Sequence, residues 1–223
     1  MNSGNFRIEM HMDLSTFRKE YSTKGLHRED LSRDPIEVFE QWFKQASELG
    51  IHEPNAMTLA TVSPDGLPSQ RTVLLKAFNH DGFTFFTNYS SRKGIQIDNN
   101  PSVSVLFPWL TLERQIIIQG IVTKVTKEES LEYFRSRPRD SQIGAWVSDQ
   151  STVINSRGIL EQNLTEISRK YEGKDVPLPP HWGGYRIKPK TIEFWQGAAA
   201  RIHDRFIYTV QSSGDWLMQR LSP

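Results

Sequence analysis

Three basic clusters in this sequence sit beside hydroxyl and aromatic side chains. Arg71 and Lys76 bracket an apolar run, Thr87 closes the next one, and Ser91, Arg92 and Lys93 stand where a helix could begin. A helix N-terminus with a free hydroxyl, an arginine and a lysine makes a cradle for a phosphate group. Each charge-assisted hydrogen bond is worth roughly 1.5–3 kcal/mol, so three or four supply much of the roughly 8 kcal/mol behind micromolar binding. Tyr133, Arg137, Arg139 and Ser141 form a second set, two arginines with a phenol and a hydroxyl, suited to a second phosphate. The third set is the run from Glu193 to Gly197 (EFWQG) followed by Arg201 to Arg205 (RIHDR), dense in stacking surface and donors. There His203, flanked by Arg201 and Arg205, suits a neutral hydrogen-bonding role. Taken singly, each set has a plainer reading: solvated charges at a helix end, a helix–turn–helix surface with Asp140 pairing locally, or an edge strand of alternating charge.

Composition narrows the classes. The 223 residues carry 27 Lys+Arg against 26 Asp+Glu, a balance that gives no reason to expect a nucleic-acid or membrane-surface protein. Anion chemistry must therefore come from the local clusters. No cysteine is present, which removes disulfides, thiolate nucleophiles and Cys-based metal sites. Six scattered histidines show no paired ligand spacing, so no metal is expected. The N-terminal stretch lacks an apolar signal region, no run is long enough to span a membrane, and a cytoplasmic location is expected. There is no G-x-G-x-x-G after a strand and no P-loop.

Periodicity predicts the elements that must position the clusters. Residues 1–33 read as an N-terminal arm, by pattern alone a disordered tail. Asp34 and Pro35 mark a helix start, with Ile36, Phe39, Trp42 and Ala46 at helical spacing up to Gly50. Met57–Val62, Ser69–Phe78 and Phe83–Asn88 read as strands joined through Asp-Gly turns. Ser90 or Ser91 caps a short helix to Asn99, and Val103–Phe107 and Arg114–Val125 are further strands. Helices are expected over Lys127–Ser136, Ser141–Ser148 and Ser156–Tyr171. Strands return at Gly184–Ile187, Thr191–Gln196, Arg205–Val210 and Trp216–Leu221. Strands, then helices, then strands is not a βαβ alternation; it predicts a mainly β, α+β fold, a small antiparallel barrel with flanking helices, in one domain over 34–223.

Together these stretches resemble the pyridoxine/pyridoxamine 5′-phosphate oxidase family over nearly the whole chain. The resemblance rests on Arg71 to Lys76 (RTVLLK), Phe85 to Asn88 (FFTN) with Ser91 to Lys93, and Glu113 to Gln115. It continues through Tyr133 and Phe134, the long specific run from Ser136 to Trp146 (SRPRDSQIGAW), and Gln150 with Ser151. It ends in Trp182 to Gly184, Glu193 to Gly197 and Arg201 to Arg205.

The resemblance implies an FMN-binding split β-barrel that works as a homodimer with the flavin sites at the subunit interface. It implies oxidation of pyridoxine 5′-phosphate or pyridoxamine 5′-phosphate to pyridoxal 5′-phosphate by hydride transfer to flavin N5. Dioxygen then reoxidises the flavin and yields hydrogen peroxide. By matching position, Arg71, Lys76, Phe86, Thr87, Ser91, Arg92, Lys93, Gln115, Gln150, Ser151, Trp195 and Arg205 are expected to hold FMN. Lys76, Tyr133, Arg137 and Ser141 are expected at the substrate phosphate, with Arg201 and His203 over the substrate ring as the catalytic pair. Arg18, Lys19, Glu20 and Tyr21 become a lid over the site, in place of a disordered tail. Two departures stand out: Phe86 occupies a position where family members can carry tyrosine, and Ala198 to Ala200 replace a more polar loop. A phenazine-pathway relative is the nearest rival, and the Tyr133, Arg137 and Ser141 set argues against it. A flavin or pyridoxal-phosphate carrier without turnover is a second, opposed by the Arg201 and His203 pair. A plain interaction domain with a basic patch is the third.

Overall fold

Apolar residues that alternate along strands build the frame. The computed structural model describes residues 20–21 and 25–223, so Arg18 and Lys19 lie outside the described residues. Among those described, nine strands form one antiparallel sheet: β1 (Ala56–Val62), β2 (Pro68–Leu74), β3 (Ala77–Asn79), β4 (Gly82–Asn88), β5 (Ser102–Trp109), β6 (Arg114–Lys124), β7 (Trp182–Gln196), β8 (Asp204–Val210) and β9 (Trp216–Leu221). Five helices flank it: α1 (Pro35–Glu48), α2 (Arg92–Asn99), α3 (Lys127–Ser136), α4 (Arg139–Val147) and α5 (Arg157–Lys170). The strands run β2-β1-β5-β6-β7-β4-β3, with β8 on β7 and β9 on β8. The expected antiparallel split barrel with flanking helices is borne out.

The interior is set by the inward face of each strand. Met57, Leu59, Phe83, Phe85, Val105, Phe107, Ile116, Ile118 and Phe194 are fully buried. Helix α1 closes one end, because its cap and its stripe agree: Asp34 accepts from the Ile36 N–H at 2.9 Å, Pro35 occupies the first turn, and Phe39, Trp42 and Ala46 face inward. The Phe39 ring meets Phe78, Phe83 and Phe107 at 4.8, 4.9 and 5.2 Å, mostly edge to face. A smaller cluster of Phe134, Ile143, Tyr171, Val176 and Trp182 glues α3 and α4 to the sheet.

Two expected strands change shape, each for a local reason. The single strand expected over Ser69–Phe78 is broken at Leu75 and Lys76. There the chain stops pairing with β1 at Leu74 and turns to pair with β4 from Ala77; the Lys76 N–H donates to the Thr84 carbonyl at 2.8 Å. Gly184–Ile187 and Thr191–Gln196 are instead parts of one 15-residue strand, β7. Pro189, which cannot donate to a ladder, lies in the stretch between them. It is tolerated because the pairing with β6 shifts register between Gln119 and Gly120, opposite it. On the other side β4 ends its pairing at Ile187 and β8 begins at Thr191, so the residues between face neither strand. Helix α4 also begins at Arg139, two residues earlier than expected.

Helix α2 lies so close to the end of β4 that a Cβ at Gly94 would stand 2.0 Å from the Tyr89 carbonyl oxygen. Gly94→Ala is therefore expected to destabilise the fold by about 3 kcal/mol in urea unfolding. Gly144→Ala, on a helix face with nothing within 4 Å, is expected to be neutral or stabilising by up to about 1 kcal/mol.

Candidate active site

A cavity of about 750 Å³ opens between β2, the end of β4, the start of α2 and the α3–α4 corner. It brings together Arg71, Lys76, Phe86, Thr87, Arg92, Lys93, Tyr133, Arg137, Ser141, Gln150 and Ser151, eleven of the residues picked from sequence. Ser91 is the exception among its neighbours. Its hydroxyl is fully buried, caps α2 by accepting from the Gly94 N–H, and braces Lys93 from behind.

Lys93 is the centre of one half. Its ammonium is buried and donates to Thr87 Oγ1, Ser91 Oγ and Gln150 Oε1, each at 3.1 Å. All three acceptors are neutral, and no carboxylate among the described residues pairs with it. Burial, reinforced by the Arg71 charge, lowers it from the ordinary lysine range to about 8. Arg71 is held by the Leu59 carbonyl at 3.2 Å, Thr61 Oγ1 at 2.6 Å and Ser69 Oγ at 2.8 Å, again all neutral. Gln96, buried on α2, ties this network together: its Oε1 accepts from Thr61 and Ser69 at 2.5 and 2.8 Å. Arg92 opens α2 and its backbone N–H donates to Ser151 Oγ at 3.2 Å. Buried cations without a counter-ion are costly unless an anion completes them. This half is built for a dianion at a helix N-terminus.

The other half is a stack. The Tyr133 ring lies on Phe86 at 3.9 Å and 21°, and Trp182 lies beside them at 5.6 Å from Phe86. The Arg137 guanidinium sits over the Trp182 ring at 4.6 Å, and burial lowers its pKa. Its Nη1 is buried with no hydrogen-bond partner, a donor left for something that enters the cavity. Arg139, grouped with it in the sequence reading, has a different task. It donates to the Lys174 carbonyl at 3.0 Å and also to that of Tyr171, clamping the connector after α5.

The remaining picked residues gather elsewhere. Gln115, Trp195 and Arg205 stand in one row across β6, β7 and β8, and paired residues of an antiparallel ladder share a face. His203 packs on Trp195 with ring centres 4.8 Å apart, and Tyr21 meets both, at 5.8 Å from Trp195 and 5.3 Å from His203. Tyr21 lies against Gly197, where a Cβ would come within 2.7 Å of its ring. The Ala198 N–H donates to His203 Nδ1 at 3.2 Å, which leaves Nε2 as the ring's outward nitrogen. Arg205 donates to Glu193 at 2.8 Å, and this bond raises its pKa. Arg201 is exposed on a tight turn whose Ala200 and Arg201 both have positive φ, 53° and 61°. Glu20 is exposed beside Tyr21 in the chain. Trp182 in the cavity and Trp195 in this row are thirteen residues apart on one strand, roughly 40 Å of contour at about 3.3 Å per residue.

Sequence reasoning passed over two contributors. Trp182 belonged to the stretches that carry the resemblance but received no role. Gln96 could have been found as a polar residue three positions from Lys93, on the same inward face of a short helix.

Comparison with known proteins agrees with this geometry. Residues 43–171 match the sequence model of the family described as pyridoxamine 5′-phosphate oxidase. Residues 182–223 match one described as the pyridoxine 5′-phosphate oxidase C-terminal dimerisation region. A pyridoxine/pyridoxamine 5′-phosphate oxidase of Crocosphaera subtropica is 56% identical over 214 residues, covering 95% of this chain and all of that one. One of Aliarcobacter butzleri is 54% identical over 212 residues, with the same coverage of 95% and 100%. Among solved structures, PhzG of Burkholderia lata 383, in complex with tetrahydrophenazine-1-carboxylic acid, superposes with a TM-score of 0.84 at 28% identity. It covers 91% of this chain and 100% of its own. A pyridoxamine 5′-phosphate oxidase-related, FMN-binding protein of Nostoc punctiforme shares the fold, with a TM-score of 0.69 at 16% identity over 86% of this chain and 100% of its own.

The Lys93 environment makes a signed prediction. The protonated ammonium is the form that grips an anion, and it is lost as pH rises through about 8 in the ligand-free protein. Affinity for a phosphate monoester such as FMN is expected to be flat below that pH. Above it, affinity is expected to weaken by up to about tenfold per pH unit until the phosphate-bound lysine itself titrates. Fluorescence titration from pH 6.5 to 10 checks this, and Lys93→Met is expected to bind weakly with no such step.

Proposed function

The chain belongs to the pyridoxamine 5′-phosphate oxidase family, and from that membership we propose that it oxidises pyridoxine 5′-phosphate or pyridoxamine 5′-phosphate to pyridoxal 5′-phosphate using FMN. The observation that carries this reading is the meeting of two separate cationic clusters in one cavity, each without a carboxylate counter-ion among the described residues. The residues fit FMN on their own chemistry. Lys93, Arg71, Arg92, Ser151 and the α2 N-terminus suit its phosphate, with Thr87 and Gln150 bracing Lys93. Lys76, at the exposed corner between β2 and β3, reaches toward both anions. Arg137, Tyr133 and Ser141 suit the substrate phosphate. When bound there, FMN would supply the two-electron redox chemistry, with dioxygen as the final acceptor.

The protein's own part is placement and exclusion of water. Both phosphates are anchored, so the two rings are presented to each other without free rotation. Arg201 and His203 cover the substrate ring, and His203 Nε2 is free to bond its polar edge because Nδ1 is engaged by the Ala198 N–H. No strong general base is required. Tyr21, packed on Trp195 and His203, supports a lid role for the arm, residues 1–33.

The contour of β7 supports a shared site. Gln115, Trp195, Arg201, His203 and Arg205 sit too far along β7 from Lys93 and Arg137 to surround the same small ligand. A second chain brings them there: the C-terminal segment matches a dimerisation region, and the protein is a homodimer. The flavin lies between the subunits, each contributing one half. Similarity to PhzG raises a rival phenazine substrate, and the Arg137 grip with its open donor favours a phosphorylated one.

Anaerobic titration of FMN-loaded protein with pyridoxine 5′-phosphate is expected to bleach the flavin, and air to restore it. A yellow protein that does not bleach would move the function to a relative or a carrier. Arg201→Ala and His203→Ala are expected to keep FMN and lose at least about tenfold in turnover. Lys93→Met and Arg205→Ala chains, each inactive alone, are expected to regain activity when mixed and reassembled, since a mixed dimer holds one intact site. Absence of any regain would contradict the shared site.

A further inference from the structure

The geometry points to Trp182 as the positioning residue that aims Arg137 at the substrate phosphate. The inference rests on the reading of this cavity as a site for a phosphorylated substrate. Arg137 follows α3 at its C-terminal boundary, in extended backbone, and no helix bond holds its side chain. No carboxylate among the described residues pairs with the guanidinium, which instead lies over ring faces: Trp182 at 4.6 Å and Phe134 at 5.8 Å. A cation over an indole face is attracted by the ring quadrupole and keeps its N–H edge free. That is the arrangement found: the plane is occupied, and Nη1 is buried without a partner. A carboxylate in Trp182's place would hold the guanidinium as firmly, but it would consume the donors and neutralise the charge the phosphate needs.

Trp182 is itself held to one orientation. It is 8% exposed, stacks with Phe86 at 14° and with Tyr133 at 8°, and takes Phe134 edge-on at 5.3 Å. It opens β7, paired with Asn88 at the end of β4, so both strands fix its backbone. Tyr133 and Arg137, the two substrate-side groups on α3 and its end, are thus registered against one indole ring that is part of the sheet. Trp182 acts on the substrate through Arg137, and its loss should cost phosphate affinity while FMN stays bound.

The test is a double-mutant cycle read by binding. Dissociation constants for pyridoxal 5′-phosphate are measured by equilibrium dialysis on FMN-loaded wild type, Trp182→Leu, Arg137→Ala and the double variant. Trp182→Leu is expected to weaken binding about tenfold in the parent and less than about twofold in the Arg137→Ala background, with FMN content unchanged. Trp182→Phe, which keeps a ring face and most of the volume, is expected to restore binding to within about threefold of wild type. The same loss in both backgrounds would make Trp182 a packing residue and overturn the proposal, as would unaltered affinity in Trp182→Leu. If the leucine variant does not fold, the phenylalanine variant carries the cycle, with its smaller loss expected only when Arg137 is present. Failure of the wild type itself to bind pyridoxal 5′-phosphate or oxidise its precursors would instead refute the substrate reading.

Discussion

Fifteen residues of continuous extended backbone determine how the chemistry of this protein is divided. Strand β7 is paired with β6 from Arg114 to Lys124, and on its other side it is shared by β4 first and β8 later. Its first residue, Trp182, belongs to the phosphate cavity, and its penultimate residue, Trp195, belongs to the row with Gln115 and Arg205. A β-strand is stiff and cannot fold back to bring its ends together. A single chain therefore keeps the two groups of side chains apart, and the proposed shared site follows from that separation. The segment that matches a dimerisation region begins at that same Trp182. The dimerisation match and the Gln115–Trp195–Arg205 row thus share strands β7 and β8.

The cavity half concentrates positive charge that no carboxylate among the described residues neutralises. Arg71, Arg92 and Lys93 lie close enough for Arg92 to depress Arg71 and for Arg71 to depress Lys93. Such a cluster works against folding, and the frame around it compensates with neutral oxygens of fixed direction: Thr61, Thr87, Ser69, Ser91 and the Leu59 carbonyl. Neutral acceptors satisfy the N–H groups without removing their charge, which is the property a phosphate site needs. Any anion that binds the folded state stabilises it by mass action. Ligand affinity and fold stability are therefore coupled through these three side chains.

Much of this was legible in the sequence, and the misses have definite causes. The hairpin turns, the caps of α1 and α2 and the β-rich apolar runs of β1, β5 and β6 are local signals, and they led to the right elements. The corner at Leu75 and Lys76 was not legible, because it depends on which strand the backbone pairs with next, a long-range fact. The continuity of β7 through Pro189 was not legible for the same reason: it depends on a register shift in a different strand. The candidate side chains were recovered almost completely, but their division into two groups was not. That division follows from the length of β7, which sequence reading had cut in two. Arg139 was misjudged because its carbonyl partners come from the connector after α5, some thirty residues away.

Backbone strain falls on the same map. Of the five non-glycine residues with positive φ among those described, Ser151 lines the cavity, and Ala200 and Arg201 form the turn before His203. Glu113, a fourth, accepts the Gly197 N–H beneath Tyr21 at 2.7 Å. Each such conformation costs of order 1–3 kcal/mol and persists only where the surroundings over-determine it. The surroundings here are the buried barrel core and the β6–β7–β8 ladder, which hold these turns in place. Ala198 to Ala200 then make physical sense as a loop: alanine side chains add no contacts that could pull the turn toward another conformation. What aims Arg201 is the ladder on either side of the turn, Gln196 paired with Asp204, and the His203 bond that closes it. The barrel's rigidity is thus passed on as direction to the side chains that this turn carries.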